Sequence, residues 1–93
     1  MTENKMLLEV WEDFGDKEES LPSLEYAGPL GDAARKLLTP RARLLTTIRA
    51  ASHFDAMTQY YKLMGWGEYT TDQPWDKPYP EAWIKQQREL GLV

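Results

Sequence analysis

The chain has no cysteine, a single histidine (His53) and only two phenylalanines among its 93 residues. Without thiols it can hold neither a disulfide nor a thiolate-bound metal or cluster, which accords with a reducing compartment. With one imidazole, a zinc site would have to be built almost wholly from carboxylates, against the usual nitrogen and sulfur ligand set. No apolar run approaches the roughly 20 residues of a membrane span, and no basic stretch followed by an apolar one opens the chain. There is no glycine-rich phosphate loop and no nucleophile motif. Bases are also short, 11 against 15 acids. These absences lead to the expectation of a non-catalytic cytoplasmic protein with no cofactor and no place in a membrane.

What is present is charge in blocks and many rings. Residues 1–28 hold eight acids against two lysines, −6, whereas residues 29–53 hold five bases against Asp32, +4. Such blocks either neutralise each other within the fold or form a docking face. Aromatics make up 12% of the chain and include four tryptophans, so a core is within reach of so short a sequence.

The stretch KMLLEVWEDF places Leu7, Val10, Trp11 and Phe14 at helical spacing, although Leu7, Leu8 and Val10 also read as a short strand. Residues 15–29 carry two glycines, two prolines and an acidic run, the signature of an exposed connector. Asp32 suits the N-cap of a short helix over 33–38. Thr39 and Pro40 suit the start of another, over 40–51, with Leu44, Ile48 and Ala51 as its stripe. Ser52 and Asp55 form a variant capping box for a third helix that Gly65 would stop, with Phe54, Met57, Tyr61 and Met64 facing inward. After an arm rich in Pro and Trp, Pro80 opens a last helix that Gly91 closes. The expectation is one small all-α domain of three to four short helices. An acidic N-terminal arm (1–28) and a Pro/Trp-rich arm with the final helix (67–93) flank a helical core (29–66).

The run FDAMTQYYKLMGWGEYT, continuing through the proline-containing arm to ELGL, resembles the C-terminal segment of aldehyde:ferredoxin oxidoreductase family large subunits. Tyr60, Tyr61, Gly65, Trp66, Leu90, Gly91 and Leu92 carry the resemblance, which spans about residues 54–93. The family's pterin and iron–sulfur ligands lie in larger domains that this chain lacks, so no catalytic or cofactor residue carries over. The resemblance implies an add-on helical module or a split-off fragment, not an oxidoreductase itself, with an oxidoreductase subunit as the partner.

The candidate chemistry is weak beside its plain explanations. Ser52, His53 and Asp55 are neighbours at a helix start, which is what a cap requires and not what a nucleophile–base pair requires. Glu12–Asp13 and Glu18–Glu19 read as solvated acids, since acid–base work needs one shielded carboxyl. Arg35, Lys36, Arg41, Arg43 and Arg49 are too few, in an acidic chain, for more than weak salt-sensitive contacts with nucleic acid.

The favoured expectation is a protein-binding module, a small accessory subunit or modulator of a larger complex. Trp11, Phe14, Tyr26, Trp66, Trp75, Tyr79 and Trp83 would contact the partner. An acidic inhibitor or immunity-type protein that blocks a basic site is the alternative, and a nucleic-acid binder ranks third. Trp75→Ala is expected to weaken association by about 1–4 kcal/mol, as loss of a tryptophan hot spot does, with little change in melting temperature. A large drop in melting temperature with unchanged association would assign Trp75 to the core.

Overall fold

A computed structural model of the chain describes residues 5–15, 18–70 and 78–93. Within them lie β1 (Met6–Asp13), β2 (Leu21–Tyr26), a 3-10 turn (Pro29–Gly31), α1 (Asp32–Arg35), β3 (Ala42–Ala50), α2 (His53–Met64) and α3 (Glu81–Glu89). The strands form one antiparallel sheet in the order β2-β1-β3, so the fold is mixed α/β. The expected all-α, helical architecture is therefore incorrect, and the error lies in three segments. The stretch KMLLEVWEDF is β1, the acidic connector supplies β2, and the helix expected over 40–51 is β3.

The physical reason is the spacing of what is buried. Met6, Leu8 and Val10 alternate along β1 with 0–3% exposure, a period of two and not 3.6. In register beside them stand Leu24 and Tyr26 of β2 and Thr46, Ile48 and Ala50 of β3. Against this face pack Ala56 of α2, Ile84 and Trp83 of α3, and Tyr79 from the segment between them. Leu7, Glu9, Trp11 and Asp13 point to the opposite face.

Hydrogen-bond parity follows from a single contact. Ala27 N–H donates to the Leu7 carbonyl at 3.0 Å, so odd residues of β1 bond towards β2 and even residues towards β3. Pro22 stands opposite Glu12, an even residue, and its missing N–H falls on the outer side of β2.

The helix stops follow local rules. Ser52 Oγ accepts from Asp55 N–H at 3.1 Å while Asp55 Oδ2 accepts from Ala51 N–H at 2.9 Å, and this pair of bonds caps α2. Gly65, at φ 72°, ends it, with Trp66 N–H donating back to the Tyr61 carbonyl at 3.0 Å. The buried residues of α2 are Ala56 and Tyr60, whereas Phe54, expected to face inward, is exposed. A Cβ on Gly31 would lie 1.9 Å from the Tyr26 carbonyl oxygen, so only glycine fits where the 3-10 turn crosses the end of β2. Among the described residues no helix is long and apolar enough to cross a membrane.

Beyond Tyr26 the ladder is completed by a side chain. Gln87 of α3 is 1% exposed, and its Oε1 accepts from Leu7 N–H at 2.7 Å. Its Nε2 donates to the carbonyls of Leu7 and Ala27 at 2.9 and 3.0 Å. One amide thus acts as a further residue of β2 and ties α3 to the sheet. Gln87→Ala leaves the Leu7 N–H and the Ala27 carbonyl without these partners. It should destabilise the fold by about 2–4 kcal/mol in a urea titration, the cost of two orphaned polar groups. A loss below about 1 kcal/mol would show that water replaces the amide without penalty.

Candidate docking surface

The sequence-predicted contact residues divide among four places. Tyr26, Tyr79 and Trp83 come together, with Tyr26 edge-on to Tyr79 at 5.7 Å and to Trp83 at 5.5 Å. Tyr79 is 7% exposed, and all three rings pack on the sheet as part of the core or against it. Trp11 lies on the opposite face, its Nε1–H donating to Glu9 Oε1 at 3.2 Å. Phe14 sits beneath the Arg41 guanidinium, 5.2 Å from ring centroid to Cζ. It helps line an open groove of ≈ 330 Å³ with Leu21, Pro22 and Leu38. Trp66 is 52% exposed and meets Tyr60 at 5.4 Å and Tyr61 at 5.3 Å, forming a partly covered aromatic shelf. Trp75 lies outside the described residues.

The charged blocks do meet within the fold. Arg35 reaches across to Glu9 Oε1 at 3.0 Å and to the Tyr26 carbonyl at 2.8 Å, and it also bonds Asp32 and the Gly28 carbonyl. Arg43 pairs with Glu12 across β1 and β3. Asp13 accepts from the Thr39 hydroxyl, from Thr39 N–H at 2.8 Å and from Gly15 N–H at 3.0 Å, and these bonds hold its carboxyl below the usual range. Ser52 and Asp55 are committed to the α2 cap, and Asp55 also accepts from Gln59 at 3.0 Å. Among the described residues no group of three His, Cys, Asp or Glu is placed to hold a metal ion.

Among the described residues Glu25 is the one strongly buried acid. It is 7% exposed and stands in register with Glu9, and its Oε2 has no hydrogen-bond partner. Burial pushes its carboxyl up from the ordinary 4.5 and the Glu9 charge adds to this, while the nearby Ser23 hydroxyl and Arg35 offset it in part.

Sequence reasoning missed the outer side of β3. This strand is at the sheet edge, and among the described residues its only ladder is with β1. Leu8 bonds to Ile48 and Met6 to Ala50, so the N–H and C=O of Thr47 and Arg49 point outward. The Arg49 carbonyl confirms the parity by accepting from Gln59 Nε2 at 2.7 Å. Among the described residues the Thr47 carbonyl receives only a long contact, 3.5 Å, from the Thr46 hydroxyl. Leu44 and Leu45 are 44% and 43% exposed, and Thr46 and Thr47 are exposed as well. The register shift beside Val10 and Trp11 falls at Leu45, a bulge of the kind that bends an edge strand. The signal in the sequence was the β-branched run Thr46-Thr47-Ile48, which favours a strand over a helix.

No protein-family model, curated protein or solved structure matches the chain.

A buried acid with a raised pKa contributes stability below its ordinary value, and that contribution fades as pH climbs through the folded-state value. Glu25→Gln should therefore raise the urea midpoint at neutral pH and change it little below about 4.5. A lower midpoint at neutral pH would show that the carboxylate has a compensating partner.

Proposed function

We propose that this chain is a protein-binding module, an accessory subunit or modulator of a larger assembly, that takes an extended segment of its partner as an added strand on β3. The observation that supports this most is the outward-facing backbone at Thr47, flanked by the exposed Leu44 and Leu45. An edge strand offers N–H and C=O groups already held in register, so an added strand gains main-chain hydrogen bonds at little ordering cost to the sheet. Natural edges are usually blunted by proline, lysine or a covering element. Residues 42–50 contain no proline and no lysine. Neighbouring leucines supply apolar contact, which backbone pairing alone does not.

The rings expected to serve as partner contacts differ in what they can offer. Tyr79 is committed to the core and Tyr26 and Trp83 pack against it, whereas Trp66 keeps half its surface exposed and stands as a second contact point. An oxidoreductase subunit as the partner, which the resemblance of residues 54–93 implies, is compatible with strand addition and is not required by it.

The test is affinity capture from the native host with paired variants. Thr47→Pro removes the outward N–H and projects its ring from the open side, leaving the β1 ladder intact. Leu45→Lys places a charge on the same edge. Both should abolish capture of whatever the wild-type chain retains, with thermal melting close to wild type. Capture lost with Trp66→Ala but retained with both edge variants would move the docking surface to the aromatic shelf.

A further inference from the structure

The charge beside the open strand narrows the class of partner. Arg41, Arg43 and Arg49 flank or belong to β3, and residues 39–50 contain no acid. Arg43 stands opposite Glu12 and Arg49 opposite Leu7, which puts the two guanidinium groups on opposite faces of the sheet near opposite ends of the edge. Arg43 gives one side to Glu12 yet keeps 70% of its side chain exposed, so most of its five N–H donors remain available. Arg49 has no ion pair among the described residues. The module is acidic as a whole, at −4, so this edge is a local exception.

We infer that the added strand is an acidic extended segment of a different protein, one that alternates carboxylates with β-branched or apolar residues. This rests on the strand-addition reading above. Carboxylates at each end of such a segment would meet Arg43 on one face and Arg49 on the other, while its apolar residues would cover Leu44 and Leu45. Arg–carboxylate pairing is directional and supplies register, which an otherwise uniform edge lacks.

A second copy of this chain fits the edge less well. Antiparallel self-pairing centred on Leu44 and Leu45 gathers Arg41 and Arg43 from both copies, and like charges across a pair are destabilising. Self-pairing centred on Thr47 runs the second strand past Arg49, where Gln59 already occupies the outward carbonyl and α2 begins just beyond. Nucleic acid would use the arginines but would leave the strand's outward N–H and C=O groups without matching partners. Three arginines also supply few phosphate contacts.

The experiment is a selection of random dodecapeptides, displayed on phage, against the full chain, followed by titration of synthetic versions of the enriched sequences. Enriched peptides should carry two or more Asp or Glu among β-branched residues. Their affinity should fall about tenfold between low salt and physiological ionic strength, and about tenfold again with Arg49→Glu. Thr47→Pro or Leu45→Lys should remove binding, whereas Trp66→Ala should not.

Edge-dependent peptides without acidic bias would overturn the inference while leaving strand addition standing. Peptides indifferent to both edge variants, or no enrichment at all, would overturn both. Self-association in sedimentation that Thr47→Pro abolishes would assign the edge to a second copy, and displacement of the peptides by a single-stranded oligonucleotide at equal concentration would favour nucleic acid.

Discussion

The burial of alternate residues of β1 sets every other feature of the fold. Met6, Leu8 and Val10 can be shielded only if β1 is central, bonded on one side to β2 and on the other to β3. Once it is central, both of its neighbours are edges, and the two edges are treated differently. On the β2 side Pro22 points its missing donor outward, and beyond Tyr26 the amide of Gln87 continues the ladder from α3. On the β3 side, among the described residues, only the C-terminal end is closed. Gln59 takes the Arg49 carbonyl, and Tyr79 N–H donates to the Ala51 carbonyl at 3.1 Å. Thr47 and the leucines before it lie beyond the reach of these contacts.

The same frame explains how the charged blocks are spent. Three acids of the N-terminal block are tied down singly. Glu12 is taken by Arg43, Glu9 by Arg35, and Asp13 by Thr39 and Gly15. Exposed arginine–carboxylate pairs such as Arg43–Glu12 contribute little stability. The structural effect of the Arg35 and Thr39 contacts is to hold the segment between β2 and β3 against β1. Neutralisation is nonetheless uneven. The acidic strands use up part of the basic block while Arg49 and much of Arg43 stay exposed beside the open backbone. Glu25 shows the opposite imbalance, a carboxyl buried next to Glu9 with too little to satisfy it.

The helices were legible because their signals are local. Ser52 and Asp55 lie three residues apart, Gly65 directly follows α2 and Gly91 lies two residues beyond α3, both in left-handed conformations, and Pro80 precedes α3 by one residue. The strands were not legible because their reason lies elsewhere in the chain. Leu7, Val10, Trp11 and Phe14 satisfy helical spacing, and only pairing with residues 21–26 and 42–50 selects the period-two reading of the same segment. In β3 the helix expectation rested on Thr39-Pro40 and on Leu44, Ile48 and Ala51. It underweighted Thr46, Thr47 and Ile48, three β-branched residues in a row. Thr39 instead receives Arg41 N–H on its hydroxyl at 3.2 Å, a turn that launches a strand. The basic cluster was visible in the sequence, but its alignment along one open edge was not, since that depends on register. The aromatic series was likewise visible, though Tyr79 proved to be core and Trp66 surface.

Residue-resolved amide hydrogen exchange on the isolated chain tests the open edge most directly. Thr46 and Ile48, bonded to β1, should exchange about a hundredfold or more slowly than Thr47, which sits between them in sequence and faces outward. Protection of Thr47 equal to that of its two neighbours would mean that the edge is already paired, and strand addition there would have no place to act.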